Sequence, residues 1–189
     1  MSHLSFKPLT SANWDDFEAL FGSAGGYGGC WCMWWRLKRK EFEQNQGEGN
    51  RQAMKSLVDA GTVPGIIAYA DDQPCGWCSV APRDDFPSLN RSPVLKRLDN
   101  LDVWSITCFF IARPYRGQQL SAKLIYAAID FVRQQGGLII EAYPSILKGD
   151  KAAPVSSFMG IPRVYERCGF TEVVQPSARK LMMRLSLED

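Results

Sequence analysis

The sequence predicts a mixed α/β (α+β) fold: a central, mostly antiparallel sheet flanked by helices, with one long helix after the central strand. Three observations carry this expectation. Val103, Trp104, Ile106, Thr107, Cys108, Phe109, Phe110 and Ile111 form a nearly continuous apolar, β-prone run, which suits a strand covered on both faces. Leu120, Leu124, Ala127, Ala128 and Phe131 then recur at steps of three or four, predicting one buried helical face over residues 118–135. Around this pair the chain reads as strand, helices, hairpin, strand, long helix, strand, short helix and two strands.

Taken in order, Leu4, Phe6 and Leu9 lie close to alternation and suggest a first strand. Ser11 or Asn13 can cap a helix carrying Trp14, Phe17, Leu20 and Phe21, with Asp15, Asp16 and Glu18 favouring its N-terminal end and Gly22 closing it. A glycine-rich and aromatic stretch follows, with Tyr27, Cys30, Trp31, Cys32, Met33, Trp34, Trp35 and Arg36. It is either a satellite core cluster or the wall of a binding pocket. Residues 38–49 are charged and polar, as in an exposed connection. Residues 50–60 read as a helix facing inward through Met54, Leu57 and Val58. Residues 63–70 and 75–81 form a hairpin around Asp71, Asp72 and Gln73. Prolines 82, 87 and 93 punctuate a loop, with a short helix expected at 94–98.

The central strand ends at Arg113-Pro114, since proline cannot donate to a ladder. Arg116-Gly117 then makes a turn at the start of the long helix, which Gly136 and Gly137 stop. Residues 138–143 are another strand, and 148–157 a polar loop. A short helix carries Val164, Tyr165 and Cys168, and Gly169 suits its C-cap. The last two strands begin at Phe170 and Leu181.

At 189 residues the chain can bury a substantial core and is read as one domain over its whole length. Twenty-two basic residues against 20 acidic ones leave a net charge of +2, without a basic block interleaved with aromatics, so nucleic acid is not the expected partner. No apolar run reaches a membrane span, and the N-terminus lacks a leader pattern. A soluble, cytoplasmic protein is expected. Six cysteines without a leader read as reduced thiols. The single histidine, His3, disfavours mechanisms built on a histidine base.

A helix N-terminus directly after a strand offers unpaired N–H groups and the positive end of the helix dipole, a setting that favours phosphates. Residues 111–121, I-A-R-P-Y-R-G-Q-Q-L-S, resemble the coenzyme A pyrophosphate loop of the GNAT superfamily of N-acetyltransferases. Arg116 matches the first position of that motif, Gln119 stands where it has its middle glycine, and Ser121 replaces its last small residue. Residues 165–170, Y-E-R-C-G-F, resemble the family's tyrosine four residues before Gly-Phe. The order of elements resembles the whole GNAT fold, whose sheet splays near the strands at Val103 and Leu138.

The resemblance implies acetyl-CoA as acyl-donor cosubstrate and the amine of a small molecule or peptide as acceptor, attacked directly; a homodimer stays open. It implies that Arg116, Gly117, Gln118, Gln119, Leu120, Ser121 and Ala122 surround the pyrophosphate. Main-chain groups of Phe109, Phe110 and Ile111 would hold the pantetheine, with an N–H of Phe110 or Ile111 polarising the thioester. Tyr165 would protonate the departing thiolate, and Glu141, ahead of Asp102 and Glu172, would serve as base. By position in the chain, Tyr27, Trp31, Trp34 and Trp35 would line the acceptor site, suiting an apolar or cationic acceptor.

Two other readings remain open. Gln119 in place of glycine fits a module that binds an acyl-CoA without turnover. Cys30-Trp-Cys32 and Cys75-Gly-Trp-Cys78 invite a four-thiolate zinc site. On a regular strand, however, Cys75 and Cys78 would point to opposite faces.

Overall fold

The structure, a computed structural model, describes residues 3–147 and 158–188, so the loop expected at 148–157 lies outside it. Seven strands form one sheet in the order β1-β2-β3-β4-β5-β7-β6. They are β1 (Leu4–Pro8), β2 (Gly65–Ala70), β3 (Gln73–Pro82), β4 (Trp104–Ile111), β5 (Ile139–Ala142), β6 (Thr171–Ser177) and β7 (Lys180–Ser186). All neighbours are antiparallel except β4 and β5, which run parallel.

That parallel pairing covers only Trp104↔Ile140, Ser105↔Glu141 and Ile106↔Ala142. Beyond Ile106, β4 keeps β3 on one side and parts from β5 on the other. The expected splay is therefore a fork that opens along residues 107–111. It begins where the β3–β4 register shifts, since Ser79 pairs with Cys108 and Val80 with Ile106. Thr107 is the extra residue of this bulge, and bulges sharpen the local twist and re-aim a strand.

One face of the sheet is covered by α5 (Leu120–Gln134). Leu120, Leu124, Ile125, Ala128, Ile129 and Val132 pack there on Ile66, Ala68, Val80, Ile106 and Ile140, as the periodicity requires. Glycine at 76 lets the start of α5 sit close to β3, because a Cβ there would lie 3.1 Å from Leu120 and 3.2 Å from Leu124. On the opposite face α1 (Trp14–Phe21) and α3 (Glu48–Asp59) pack with the tryptophan loop over Ile67, Tyr69 and Trp77. A third cluster, around Phe86, Leu89, Leu95, Tyr143 and Met182, fills the same face nearer β5 and β7.

Several expectations are corrected. Residues 38–49 are not simply an exposed connection: they hold α2 (Arg39–Gln44), which buries Phe42 against the aromatic layer, and the start of α3. The short helix expected at 94–98 stands instead at α4 (Pro87–Arg91), where a proline at the first helical position is preorganised for the turn. Cys75 and Cys78 do not diverge. Ala68 pairs with Gly76 and Tyr69 with Pro74, so Cys75 is bulged out of register and packs with Cys78 beneath α5. The last short helix, α6 (Pro162–Arg167), is where the sequence puts it. Among the described residues no helix is long and apolar enough to cross a membrane.

Candidate functional site

The turn from β4 into α5 is exposed from Arg116 to Gln119. Gly117 has φ +76° and Gln119 φ +60°, so both take the left-handed conformation, and Gln119 serves as the helix N-cap. The position occupied by Gln119 thus favours glycine sterically. The first intrahelical bonds run from the Ala122 and Lys123 N–H groups to the Gln119 carbonyl. The N–H groups of Leu120 and Ser121 precede that ladder at the positive end of a 15-residue helix. Arg116 folds back so that its Nε donates to the Ile111 carbonyl at 2.9 Å, tying the turn to the end of β4.

The fork lies beside this turn. In an antiparallel ladder, alternate residues direct both main-chain groups to the same neighbour. The Phe109 N–H leaves the sheet, donating to the Phe158 carbonyl at 2.6 Å, whereas Ala112 N–H bonds back to Cys75 on β3. By this alternation Phe110 faces β3, and Ile111 directs its N–H into the fork. Of these two expected donors, the backbone commits Phe110 to the β3 ladder and turns the Ile111 N–H away from it.

Residues 158–160 cross the fork as a strap. Their three carbonyls accept in turn from the Phe109 N–H, from the Tyr165 hydroxyl at 3.1 Å and from the Ser145 N–H at 3.0 Å. Tyr165 is fully buried, its ring 6.2 Å from Phe109 and 5.1 Å from Phe170. Burial pushes its hydroxyl well above the ordinary tyrosine range, with nearby thiols adding to the shift. The structure therefore brings Tyr165, Phe109 and Ile111 to one fork.

Glu141 is placed differently from what a proton acceptor needs. It is 0% exposed, and both its oxygens are engaged. Oε1 accepts from Arg83 at 2.5 Å and from the Tyr143 hydroxyl at 2.7 Å, while Oε2 accepts from Arg184 at 2.8 Å. Arg184 also pairs with Asp99, and Arg83 donates to the Leu95 carbonyl. Both oxygens are committed to a buried ion cluster. Asp102 and Glu172 are exposed, Asp102 in the loop before β4 and Glu172 on the outermost strand, β6.

The aromatics divide. Trp31 is core: it is 7% exposed and stacks on Phe21 at 5.7 Å. Tyr27 and Trp34 are exposed, at 67% and 41%, with Trp34 edge-on to Trp35 and Phe42. Trp35 packs against the third cluster, and its buried indole Nε1 has no hydrogen-bond partner.

Lys180 escaped sequence reasoning, because a lysine opening an edge-proximal strand reads as an exposed charge. Its Nζ instead reaches inward to the Tyr143 carbonyl at 3.2 Å, the Ser145 hydroxyl at 2.9 Å and the Met159 sulfur at 3.2 Å. Burial lowers its pKa to about 8. It touches the strap residue whose carbonyl holds Tyr165.

The cysteines do not assemble as four. Cys75 and Cys78 pack beneath α5, while Cys30 and Cys32 belong to the aromatic layer on the other face. Among the described residues no group of three or more His, Cys, Asp or Glu side chains is arranged to hold a metal ion.

Comparison with curated proteins finds no match. Solved structures are similar along the whole chain. A GNAT-family protein from Desulfovibrio desulfuricans has 16% identity and a TM-score of 0.57, covering 98% of this chain and 100% of that one. The PaiA N-acetyltransferase from Thermoplasma acidophilum, in complex with coenzyme A, has 10% identity and a TM-score of 0.53, covering 97% and 99%. YncA from Salmonella typhimurium, with its cofactor acetyl-CoA, has 14% identity and a TM-score of 0.52, covering 98% and 95%. At such identities these likenesses speak for the fold alone. The model of the acetyltransferase (GNAT) family matches residues 31–170, a span that runs from the tryptophan loop through the fork to the end of the Tyr165 motif, and the chain belongs to that family.

Proposed function

We infer that this protein transfers the acetyl group of acetyl-CoA to the amine of a small molecule or peptide, by direct attack within the fork. The observation that carries the reading is the fork itself, where β4 presents the Ile111 N–H beside the exposed N-terminus of α5. The coenzyme A and acetyl-CoA found with PaiA and YncA support it. The pyrophosphate would sit on residues 116–122, and the pantetheine along Phe109 to Ile111. The Ile111 N–H would stabilise the developing oxyanion. Tyr165, held protonated by burial, would give the departing thiolate a hydrogen bond more readily than a full proton.

Glu141 supports the site from behind as part of the ion cluster. The acceptor's proton would leave through water or through Lys180, whose neutral form is populated above pH 8. Of the four aromatics expected at the acceptor site, Trp34 and Tyr27 are the exposed ones and would be the acceptor-side surfaces.

One observation favours a second reading, a module that binds acyl-CoA without turnover. The Phe109 N–H and the Tyr165 hydroxyl are both already held by the strap. Calorimetric titration with acetyl-CoA followed by turnover over a panel of amines separates the two. Micromolar binding, weakened in Arg116→Ala, is expected in both. Acetylation that falls about 100-fold in Tyr165→Phe supports the enzyme. Binding without product on any amine supports the module, and absence of binding overturns both.

A further inference from the structure

The strap joins two arms of the sheet that have parted. The β4 arm stays bonded to β3, with Phe109 opposite Cys78. The β5 arm continues past Ala142 along β7: Leu181 donates to the Pro144 carbonyl, Ile146 donates to the Arg179 carbonyl, and Ser145 lies opposite Lys180. Residues 158–160 stand between the arms. The Phe158 carbonyl takes the Phe109 N–H of one arm, and the Gly160 carbonyl takes the Ser145 N–H of the other. The strap thus takes up main-chain bonding that β4 and β5 stop exchanging beyond Ile106.

Its fit depends on a glycine and a lysine. Gly160 has φ +85°, and a Cβ there would lie 2.7 Å from the Tyr165 ring and 3.4 Å from the Phe109 ring. Glycine is therefore what lets the backbone lie against both rings in this conformation. Lys180 fastens the strap to the β5 arm. Its Nζ donates to the Ser145 hydroxyl at 2.9 Å and to the Met159 sulfur at 3.2 Å, and it lies 6.0 Å from the centre of the Phe158 ring. Met159 and Phe158 also pack in the third cluster beside Trp35.

These contacts use the groups that acetyl transfer would need. By the alternation of β4, Phe109 and Ile111 are the residues whose N–H groups turn toward the fork, along the path assigned to the pantetheine. The Phe109 N–H is a single donor, so it cannot serve the Phe158 carbonyl and a pantetheine carbonyl together. The Tyr165 hydroxyl likewise has one proton, and the Met159 carbonyl holds it, whereas a departing thiolate would need it. We propose that the strap is an autoinhibitory contact: residues 158–160 are an intramolecular competitor of the acetyl-CoA pantetheine, which enters the fork only when they release Phe109 and Tyr165, a competition that rests on the acetyl-transfer reading of the fork. A site open in only a fraction of the molecules binds more weakly by that fraction. Loosening the strap therefore tightens binding, the reverse of what damage to a wall of the site would do.

The test is calorimetric titration of the full-length protein with acetyl-CoA, joined to brief chymotrypsin digestion of the free and the saturated protein. Lys180→Met keeps an apolar stem but drops the hydrogen bonds to Ser145 and Met159. Gly160→Ala forces the strap off the two rings. Each variant is expected to bind acetyl-CoA about 10-fold more tightly than the wild type. Saturating acetyl-CoA is expected to speed cleavage after Phe158 in the wild type by about the same factor, measured against cleavage at the exposed Tyr27, because proteolysis follows the population of the open form. Where Gly160→Ala fails to fold, Lys180→Met alone carries the comparison. Equal or weaker binding in the folded variants, or protection of Phe158 by acetyl-CoA, overturns the proposal and leaves the acetyl-CoA site standing. Binding in a variant but not in the wild type supports a strap that closes the fork fully. Absence of binding in all three proteins overturns the acetyl-transfer reading and the competition with it.

Discussion

At the residue scale, identity alone does not decide what a side chain does; its neighbours do. Glu141 and Trp31 illustrate this, because each was a reasonable site residue by type and position and each is enclosed by partners. Glu141→Gln is expected to cost about 3–5 kcal/mol of stability, since it leaves Arg83 and Arg184 facing a neutral amide; denaturant unfolding measures it. Trp31→Ala is expected to cost about 3–5 kcal/mol, and Trp34→Ala under about 1 kcal/mol, so the same measurement sorts core from surface in the tryptophan loop. Lys180 adds a pH dependence. An unfolded lysine keeps its proton up to about 10.5, whereas the folded one loses it near 8. Between these values the unfolded chain binds the extra proton, so this residue's contribution to stability rises with pH. The stability difference between wild type and Lys180→Met is expected to change by about 1–2 kcal/mol from pH 7 to pH 10, after allowance for solvent screening of a partly exposed group. Invariance of that difference would show that Lys180 titrates normally. None of these three environments is local in sequence, which is why the sequence named the residues without their neighbours.

At the scale of elements, most of the architecture was legible. The run ending at Ile111 and the three-to-four spacing from Leu120 to Phe131 located β4 and α5 closely, because long periodic segments bury one face whatever their surroundings. Leu124→Ala, at the centre of that face and fully buried, is expected to destabilise by about 2–5 kcal/mol. Short elements were less readable. α2 hides in a charged stretch because a single residue, Phe42, carries its packing. α4 is set by Pro87 at its first turn rather than by periodicity. The bulge at Cys75 reverses the facing of a thiol, and a one-residue register shift leaves no trace in composition. The turn into α5 tests the resemblance directly. Gln119→Gly relieves a left-handed conformation and is expected to leave the protein equally stable or more stable by about 0.5–1 kcal/mol. Titration of the same variant with acetyl-CoA shows whether the glutamine side chain helps or hinders phosphate binding.

At the scale of the whole molecule, the sheet joins two layers that do different work. The α5 layer is apolar and carries the helix start, and the opposite layer holds the aromatic loop and the ion cluster. The fork between β4 and β5 is the place where both layers and the strap meet. The sequence pointed to that place through two motifs about 45 residues apart, and it did not point to the strap, whose carbonyls act without regard to side-chain type. The ion cluster also has a temporal meaning. Arg83, Glu141 and Arg184 are contributed by the turn after β3, by β5 and by β7, at sequence separations of 58 and 43. Contacts between such distant points close late, after the loops that separate them have been ordered. Loss of the cluster in Glu141→Gln is therefore expected to leave the refolding rate within about 2-fold while speeding unfolding by about two to three and a half orders of magnitude. The Arg83–Glu141–Arg184 cluster would then act chiefly as a latch on the finished sheet, setting how long the native state lasts rather than how quickly it forms.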